Sequence, residues 1–390
     1  MATRRRFLAD GLKWTVGSQL AAGLAVPVLK LALGTVPFAA AQETQSAGVD
    51  AAKQYERMVS QAIEFFRTKA QAPDGSYSGA AGPGITALVA TAILKHGRSA
   101  DEPFIAKSLK YLETFIEADG GLNKAGSKYR NYETCLAILA FKEANKGGRY
   151  DALLKKAAAF VKTEQWDEGE GKDKSDPNFG GAGYGSKSRP DLSNTSFLIE
   201  ALKATGNSSD SEAIKRALVF ISRCQNLESD KNTTPFAAKN PDGGFYYTPA
   251  AGGESFAGKT AEGGLRSYGS MTYAGLKSMI YAGVGPDDPR VKAAVKWIQM
   301  NYDVRSNPGM GEAGLYYYLH MFAKALDAVG QAQIVDDKGV KHDWKAEVRT
   351  ELAKAQRDDG AWVNKTSRWM EGDANLVTAY ALLALAYCKP

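Results

Sequence analysis

Six apolar helical segments share one register, and this repetition constrains the fold more than any other property of the chain. Five carry Thr at the same point: Thr86-Ala-Leu-Val, Thr134-Cys-Leu-Ala, Thr195-Ser-Phe-Leu, Thr272-Tyr-Ala-Gly and Thr378-Ala-Tyr-Ala. The sixth, Tyr316-Tyr-Tyr-Leu, has Tyr in place of Thr. The segments are apolar nearly all round, as in Leu376-Val-Thr-Ala-Tyr-Ala-Leu-Leu-Ala-Leu385, and a helix without a polar face must be buried on every side. Six amphipathic segments alternate with them, at about 50–68, 101–117, 150–165, 210–225, 287–301 and 343–356, each with the i, i+3, i+4 pattern and a charged opposite face. Acidic N-caps are predicted at Asp101, Asp210, Asp287 and Asp343. One polar-faced helix followed by one buried helix, six times, closes into a double-walled ring.

The connections are asymmetric. Turns from inner to outer helices are short and often contain Gly, as at Gly97, Gly206 and Gly285. Loops from outer to inner helices are long and Gly-rich, the longest running from about 226 to 266. Because the chain alternates between layers, all long loops and all inner-helix N-termini fall at one end of the ring. The loops repeat a signature as well. Gln71-Ala-Pro-Asp74-Gly75-Ser-Tyr77 and Gln356-Arg-Asp-Asp359-Gly360-Ala-Trp362 both read Gln-x-x-Asp-Gly-x-aromatic, and Asp119-Gly120-Gly121-Leu122 and Asp242-Gly243-Gly244-Phe245 are partial copies. The pattern predicts a tight turn with positive φ at Gly, Asp bonded to the turn backbone and an aromatic closing the corner.

With these motifs the sequence resembles the prenyltransferase and squalene oxidase repeat family over roughly residues 50–388, squalene cyclases included. The resemblance implies an all-α (α/α)6 toroid of six outer and six inner helices, as in terpenoid cyclases and protein prenyltransferases.

Thr3-Arg4-Arg5-Arg6-Phe7-Leu8 resembles the twin-arginine export signal; a mildly apolar stretch follows and ends in Ala39-Ala40-Ala41-Gln42, a small-residue cleavage site. Residues 1–41 are therefore expected to be a signal segment and 42–390 a single toroid domain, exported to the periplasm or another extracytoplasmic space. Pro27 and Lys30 interrupt the apolar stretch, which argues against a permanent membrane span. The leader's Arg4, Arg5, Arg6, Lys13 and Lys30 against Asp10 supply about +4 of the formal +6, leaving no basic footprint for nucleic acid. Cys135, Cys224 and Cys388 are too few for a disulfide framework, so the core stands on packing.

The inner-helix N-termini direct N–H groups and partial positive charge to one mouth, which suits an anionic head group with a hydrocarbon tail in the lumen. Lys128, Arg130, Lys187, Arg189, Arg266 and Arg368 lie in the loops leading there. The resemblance also supplies two catalytic patterns, and both are incomplete. Class II terpene cyclases carry Asp-x-Asp-Asp-Thr at a helix entrance; Asp191-Leu192-Ser193-Asn194-Thr195 keeps the first Asp but has Ser193 and Asn194 at the other acidic positions, neither of which is an acid in the working range. Helix capping is the plainer role for Asp191, Ser193 and Asn194. Prenyltransferases hold zinc on Asp-x-Cys and a His; Glu133-Thr134-Cys135 fits the first half, but Asn194 stands at the His position, so no metal is expected. No cofactor is expected either. In the lumen, His320, Tyr273, Tyr281, Tyr317 and Tyr380 offer aromatic faces for a cation, for a sugar ring or simply for packing.

Candidate catalytic groups are Glu133, Asp191, His320 and Asp373; candidate binding groups are Arg130, Arg189, Asn194, Tyr273, Tyr317 and Arg368. Three functions remain open at this level. The first is a terpene cyclase- or prenyltransferase-like enzyme acting on an isoprenoid or similar amphiphile, and a lumen packed shut would argue against it. The second is a carbohydrate-active toroid pairing Glu312 with Asp373 or Glu371. The third is a non-catalytic binding or scaffold toroid, with a protein partner on an apolar patch of the 226–266 loop.

Overall fold

The computed structural model describes residues 38–390, with side chains from Asp50 onward. Two compact units divide at Ala52. The expected signal segment lies outside the described residues except for Phe38–Ala41, which begin a helix. The second unit, from Lys53, carries the toroid.

Twelve α-helices are described. The outer layer consists of α1 (Phe38–Phe65, its second half in the toroid), α3 (Pro103–Glu113), α5 (Asp151–Thr163), α7 (Glu212–Arg223), α9 (Pro289–Met300) and α11 (Trp344–Ala355). The inner layer consists of α2 (Gly84–Lys95), α4 (Arg130–Glu143), α6 (Leu192–Ala204), α8 (Gly269–Tyr281), α10 (Leu315–Val329) and α12 (Ala374–Leu385). Each inner helix packs on the next, and α12 returns to α2, so the ring is closed. The only named strands among the described residues form a short antiparallel hairpin, β1 (Ile334–Val335) with β2 (Lys341–His342).

The periodicities explain the layers. In α12, every residue from Leu376 to Leu385 is buried. In α7, burial is confined to one stripe (Ala213, Ile214, Ala217, Phe220, Ile221) with Ser222 beside it, and Lys215 and Glu212 pair on the solvent side. Helix starts are shifted by one residue from three of the predicted caps: Glu102, Ser211 and Asp288 take the N-cap positions, while Asp343 caps α11 as expected, accepting from the Ala346 N–H at 3.0 Å.

The shared Thr has a definite task. Its hydroxyl accepts the backbone N–H at the end of the preceding loop: Tyr77 to Thr86 (2.9 Å), Leu122 to Thr134 (2.9 Å), Ala182 to Thr195 (3.0 Å), Phe245 to Thr272 (3.1 Å) and Trp362 to Thr378 (3.0 Å). The Gln of the loop signature links neighbouring repeats. Gln71, Gln165, Gln225 and Gln356 each donate from Nε2 to a carbonyl of the next outer helix or its mate, at 2.7–2.9 Å. Asp74, Asp119, Asp242 and Asp359 each accept the N–H two residues on, as an Asx turn predicts. The last copy seals the ring: Gln356 bonds the Met58 carbonyl at 2.9 Å, and His96 Nε2 meets the Leu382 carbonyl at 2.9 Å across the same seam.

Candidate functional site

The mouth end holds most of the predicted site residues, but the structure gives its carboxylates structural work. Asp191 is 1% exposed and caps α6, accepting from the Asn194 N–H (2.8 Å) and Asn194 Nδ2 (2.7 Å). Burial pushes its carboxyl up to about 6, against the opposing pull of the Asn194 and Tyr247 hydrogen bonds. Asp373 caps α12 through the Asn375 and Leu376 N–H groups and accepts from Ser78 Oγ at 2.7 Å. Glu133, on the first turn of α4, is buried with its pKa raised by desolvation, and it accepts the Lys124 N–H at 3.1 Å. Glu371 is also buried and raised by desolvation; it caps α10 from the neighbouring repeat by accepting the Tyr316 and Tyr317 N–H groups, and takes a third bond from Asn364. The helix N-terminus favours the charged, accepting form of each capping carboxylate and so opposes the upward push of burial. Glu371 and Asp373 thus serve two different helices.

Four rings from four inner helices cross the lumen just inside the mouth. Tyr132 of α4 meets Phe197 of α6 (centroids 5.5 Å apart), Phe197 meets Tyr317 of α10 (6.5 Å), and Tyr317 meets Tyr380 of α12 (5.7 Å). The Tyr380 and Tyr132 hydroxyls lie close enough to shift each other's ionisation, which brings the circuit round. Ser193 and Tyr317 join hydroxyls at 2.8 Å on the mouth side, where both are half-buried. His320 lies one turn deeper, 2% exposed and stacked on Tyr380 at 5.8 Å, with desolvation as the main cause lowering its pKa to about 3. Tyr273 departs from its predicted lumen role. It packs on Tyr318 and Phe322, and Phe322 touches Trp344 of the outer layer, so its ring is part of the wall.

Deeper still is a group that the pattern of the sequence did not single out. Glu200 of α6 receives Lys277 of α8 at 2.9 Å and Lys324 of α10, and all three are 5% exposed or less. Single charged residues on apolar helices read as interruptions; because those helices have no solvent face, such residues must meet inside the ring. Burial pulls the Lys277 amine down to about 7 and lowers Lys324 as well.

The loop cations divide into paired and unpaired. Arg130 pairs with Asp119 and lies over the Phe160 ring, at one side of a polar cleft of about 540 Å³ that Lys128, Asn123 and Ser186 also line. Arg189 pairs with Glu254. Arg368 has no ion pair among the described residues and lies over the rings of Trp369 (4.3 Å) and Phe256 (5.2 Å). Trp369 and Met370 are 40% and 50% exposed and both hold positive φ, +55° and +65°, a conformation that costs a non-glycine residue on the order of 1–3 kcal/mol. Tyr129 and Tyr184 are exposed on the loops at α4. None of the strongly exposed large apolar side chains among the described residues belongs to the 226–266 loop, where the apolar patch was expected; Phe256 is half-buried there. Among the described residues no group of three His, Cys, Asp or Glu side chains is placed to hold a metal ion, and no helix is long and apolar enough to cross a membrane. Cys135 is buried and donates to Asn131 at 3.4 Å.

Residues 84–250 match the squalene-hopene cyclase C-terminal domain. No curated protein sequence matches the chain. Several solved structures share its fold. A variant of the type II terpene cyclase MstE from Scytonema, in complex with its product merosterolic acid A, superposes with a TM-score of 0.53 at 14% identity, covering 88% of this chain and 99% of that one. The apo enzyme gives 0.52 at 13% identity over 86% and 98%. A variant holding its substrate, geranylgeranyl dihydroxybenzoate, gives 0.52 at 12% identity over 88% and 99%. The chain is terpenoid cyclase-like, an all-α toroid, and at these identities the likeness to the solved structures is one of fold.

Proposed function

We propose that this toroid is an exported protein that binds an isoprenoid or similar amphiphile at its mouth and does not cyclise it. One observation carries the reading: Asp191, Asp373, Glu133 and Glu371 at the inner-helix entrances are each engaged as a cap or loop staple, while the rim keeps an unpaired Arg368 against Phe256 and Trp369. Arg and Trp are among the side chains most enriched where binding energy concentrates. The anionic head would meet Arg368, and the tail would lie against Trp369, Met370 and Tyr247 in front of the ring circuit. Export rests on the leader, whose Arg-Arg-x-Phe-Leu pattern supports it.

The test uses geranylgeranyl phosphate as probe. Arg368→Ala and Trp369→Ala should each weaken binding by about tenfold, near 1.4 kcal/mol, in titration calorimetry. Equal affinity in all three proteins would overturn the site. Extraction after long incubation should return the probe unchanged.

A second reading keeps chemistry, and it has its own support: Asp191, raised to about 6, is partly protonated in mildly acidic medium. It requires a cyclic product from the wild type at pH 5.5 that disappears in Asp191→Asn. That result would replace the binding reading.

A further inference from the structure

The deep half of the ring carries an imbalance of charge and an imbalance of hydrogen bonds in the same place. Lys277 and Lys324 share the single carboxylate of Glu200. Toward the short-loop end, Lys95 of α2 and Glu143 of α4 pair at 2.6 Å and cancel each other. Three amines therefore face two carboxylates. His320, one turn above Lys324 on the same helix, has no hydrogen-bond partner for either ring nitrogen among the described residues, although it is fully enclosed. Its electrostatic neighbours are Lys277 and Lys95, and both disfavour a proton on the ring. The Lys277 amine also lies over the rings of Phe197 (5.8 Å) and Tyr281 (5.9 Å), so its surroundings are aromatic, with Met321 sulfur at 3.9 Å.

Two events can relieve the surplus positive charge: one amine releases its proton, or an anion enters. Proton release leaves the His320 N–H as it was, a buried donor without an acceptor among the described residues, which is a costly arrangement. A single small anion would answer both imbalances at once. It would accept from the His320 N–H and balance the second ammonium, which in a medium of low dielectric attracts it far more strongly than water would allow.

We propose that the lumen between His320 and Lys277 is a binding site for one small monovalent anion, such as a halide, separate from the rim at Arg368. The site ties α8 to α10 through the ligand, as Glu200 ties them to α6. It does not depend on what the mouth binds.

Chloride-35 NMR on the full-length protein tests this, with bromide as competitor. Wild type should broaden the chloride line in excess of the free ion, and bromide should remove that excess with a saturable midpoint. Lys277→Met should lose the competed excess and still melt cooperatively, since the remaining Lys324 and Glu200 balance. His320→Phe, which keeps the stack on Tyr380, should lose it too and decides the matter if Lys277→Met does not fold. A bromide anomalous peak beside His320 in the crystal would place the ion. The proposal is overturned if wild type shows no competed excess, or if both variants retain it. Neither result bears on geranylgeranyl phosphate binding at Arg368, which is read separately.

Discussion

Glu200→Gln is expected to destabilise the toroid by about 3–5 kcal/mol at pH 7, the range seen when one member of a buried charge cluster is removed. The amide keeps the shape of the carboxylate and can still accept a hydrogen bond, but it leaves Lys277 and Lys324 facing each other without a counter-charge. The pH dependence follows from the direction of the amine shifts. An unfolded lysine titrates near ~10.4, whereas the folded Lys277 is pulled down to about 7. Between those values the unfolded chain binds the more protons, so stability falls as pH drops from about 10 toward 7 and levels off below. In Glu200→Gln both amines are pulled lower still, and the fall continues to lower pH. The deficit relative to wild type should therefore widen from pH 10 to pH 6. Urea unfolding followed by circular dichroism at a series of pH values measures it. A deficit that is absent at pH 7, or constant across the series, would show that the cluster does not hold the three helices as described.

How much of this was readable beforehand depends on which physical signal each feature leaves in the chain. The ring was legible because burial on all sides leaves a helix with no polar face, and because Thr must stand where a loop N–H needs an acceptor. The loop signature was read in two full and two partial copies. A fifth, in which Gln165 bonds the Gly180 and Ala213 carbonyls, went unread because Phe179-Gly180 replaces Asp-Gly and thirteen charged or polar-rich residues intervene in a longer loop. The one inner helix without the shared Thr also ties its loop differently: the Tyr318 hydroxyl donates to the Asp303 carbonyl. The capping roles of Asp191 and Asp373 were within reach, since each precedes a helix start. The cap supplied to α10 by Glu371 was not, because it joins neighbouring repeats through space. The Lys–Glu–Lys cluster was hidden for a similar reason: Lys277 is 77 residues from Glu200 and Lys324 lies further along the chain on another helix, and only the closed ring brings them together.

Gly360→Ala is expected to open the seam where the ends of the ring meet. Gly360 sits at φ +89°, and a Cβ there would run into the carbonyl oxygen of Gln61 on α1. The side chain cannot move aside, since Cβ is fixed by the backbone and its obstacle is backbone as well. Either the turn leaves positive φ, which pulls Gln356 away from the Met58 carbonyl, or α1 shifts away from the turn. Positive φ costs an alanine about 1–2 kcal/mol, and the overpacking adds about 1–3 kcal/mol, for a total of about 2–5 kcal/mol. Gly97→Ala supplies the control. It has nearly the same φ, +84°, on the other end of the ring, but nothing lies within 4 Å of its Cβ. It should cost only the conformational part, about 1–2 kcal/mol. The difference between the two variants, read from denaturant midpoints at constant slope, isolates the steric contact at the seam. Matching losses would mean that the turn alone matters and that the contact with α1 gives way freely. A larger loss at Gly360, with faster hydrogen exchange in α1 and α12 than in α6, would show that the ring is held closed at this joint.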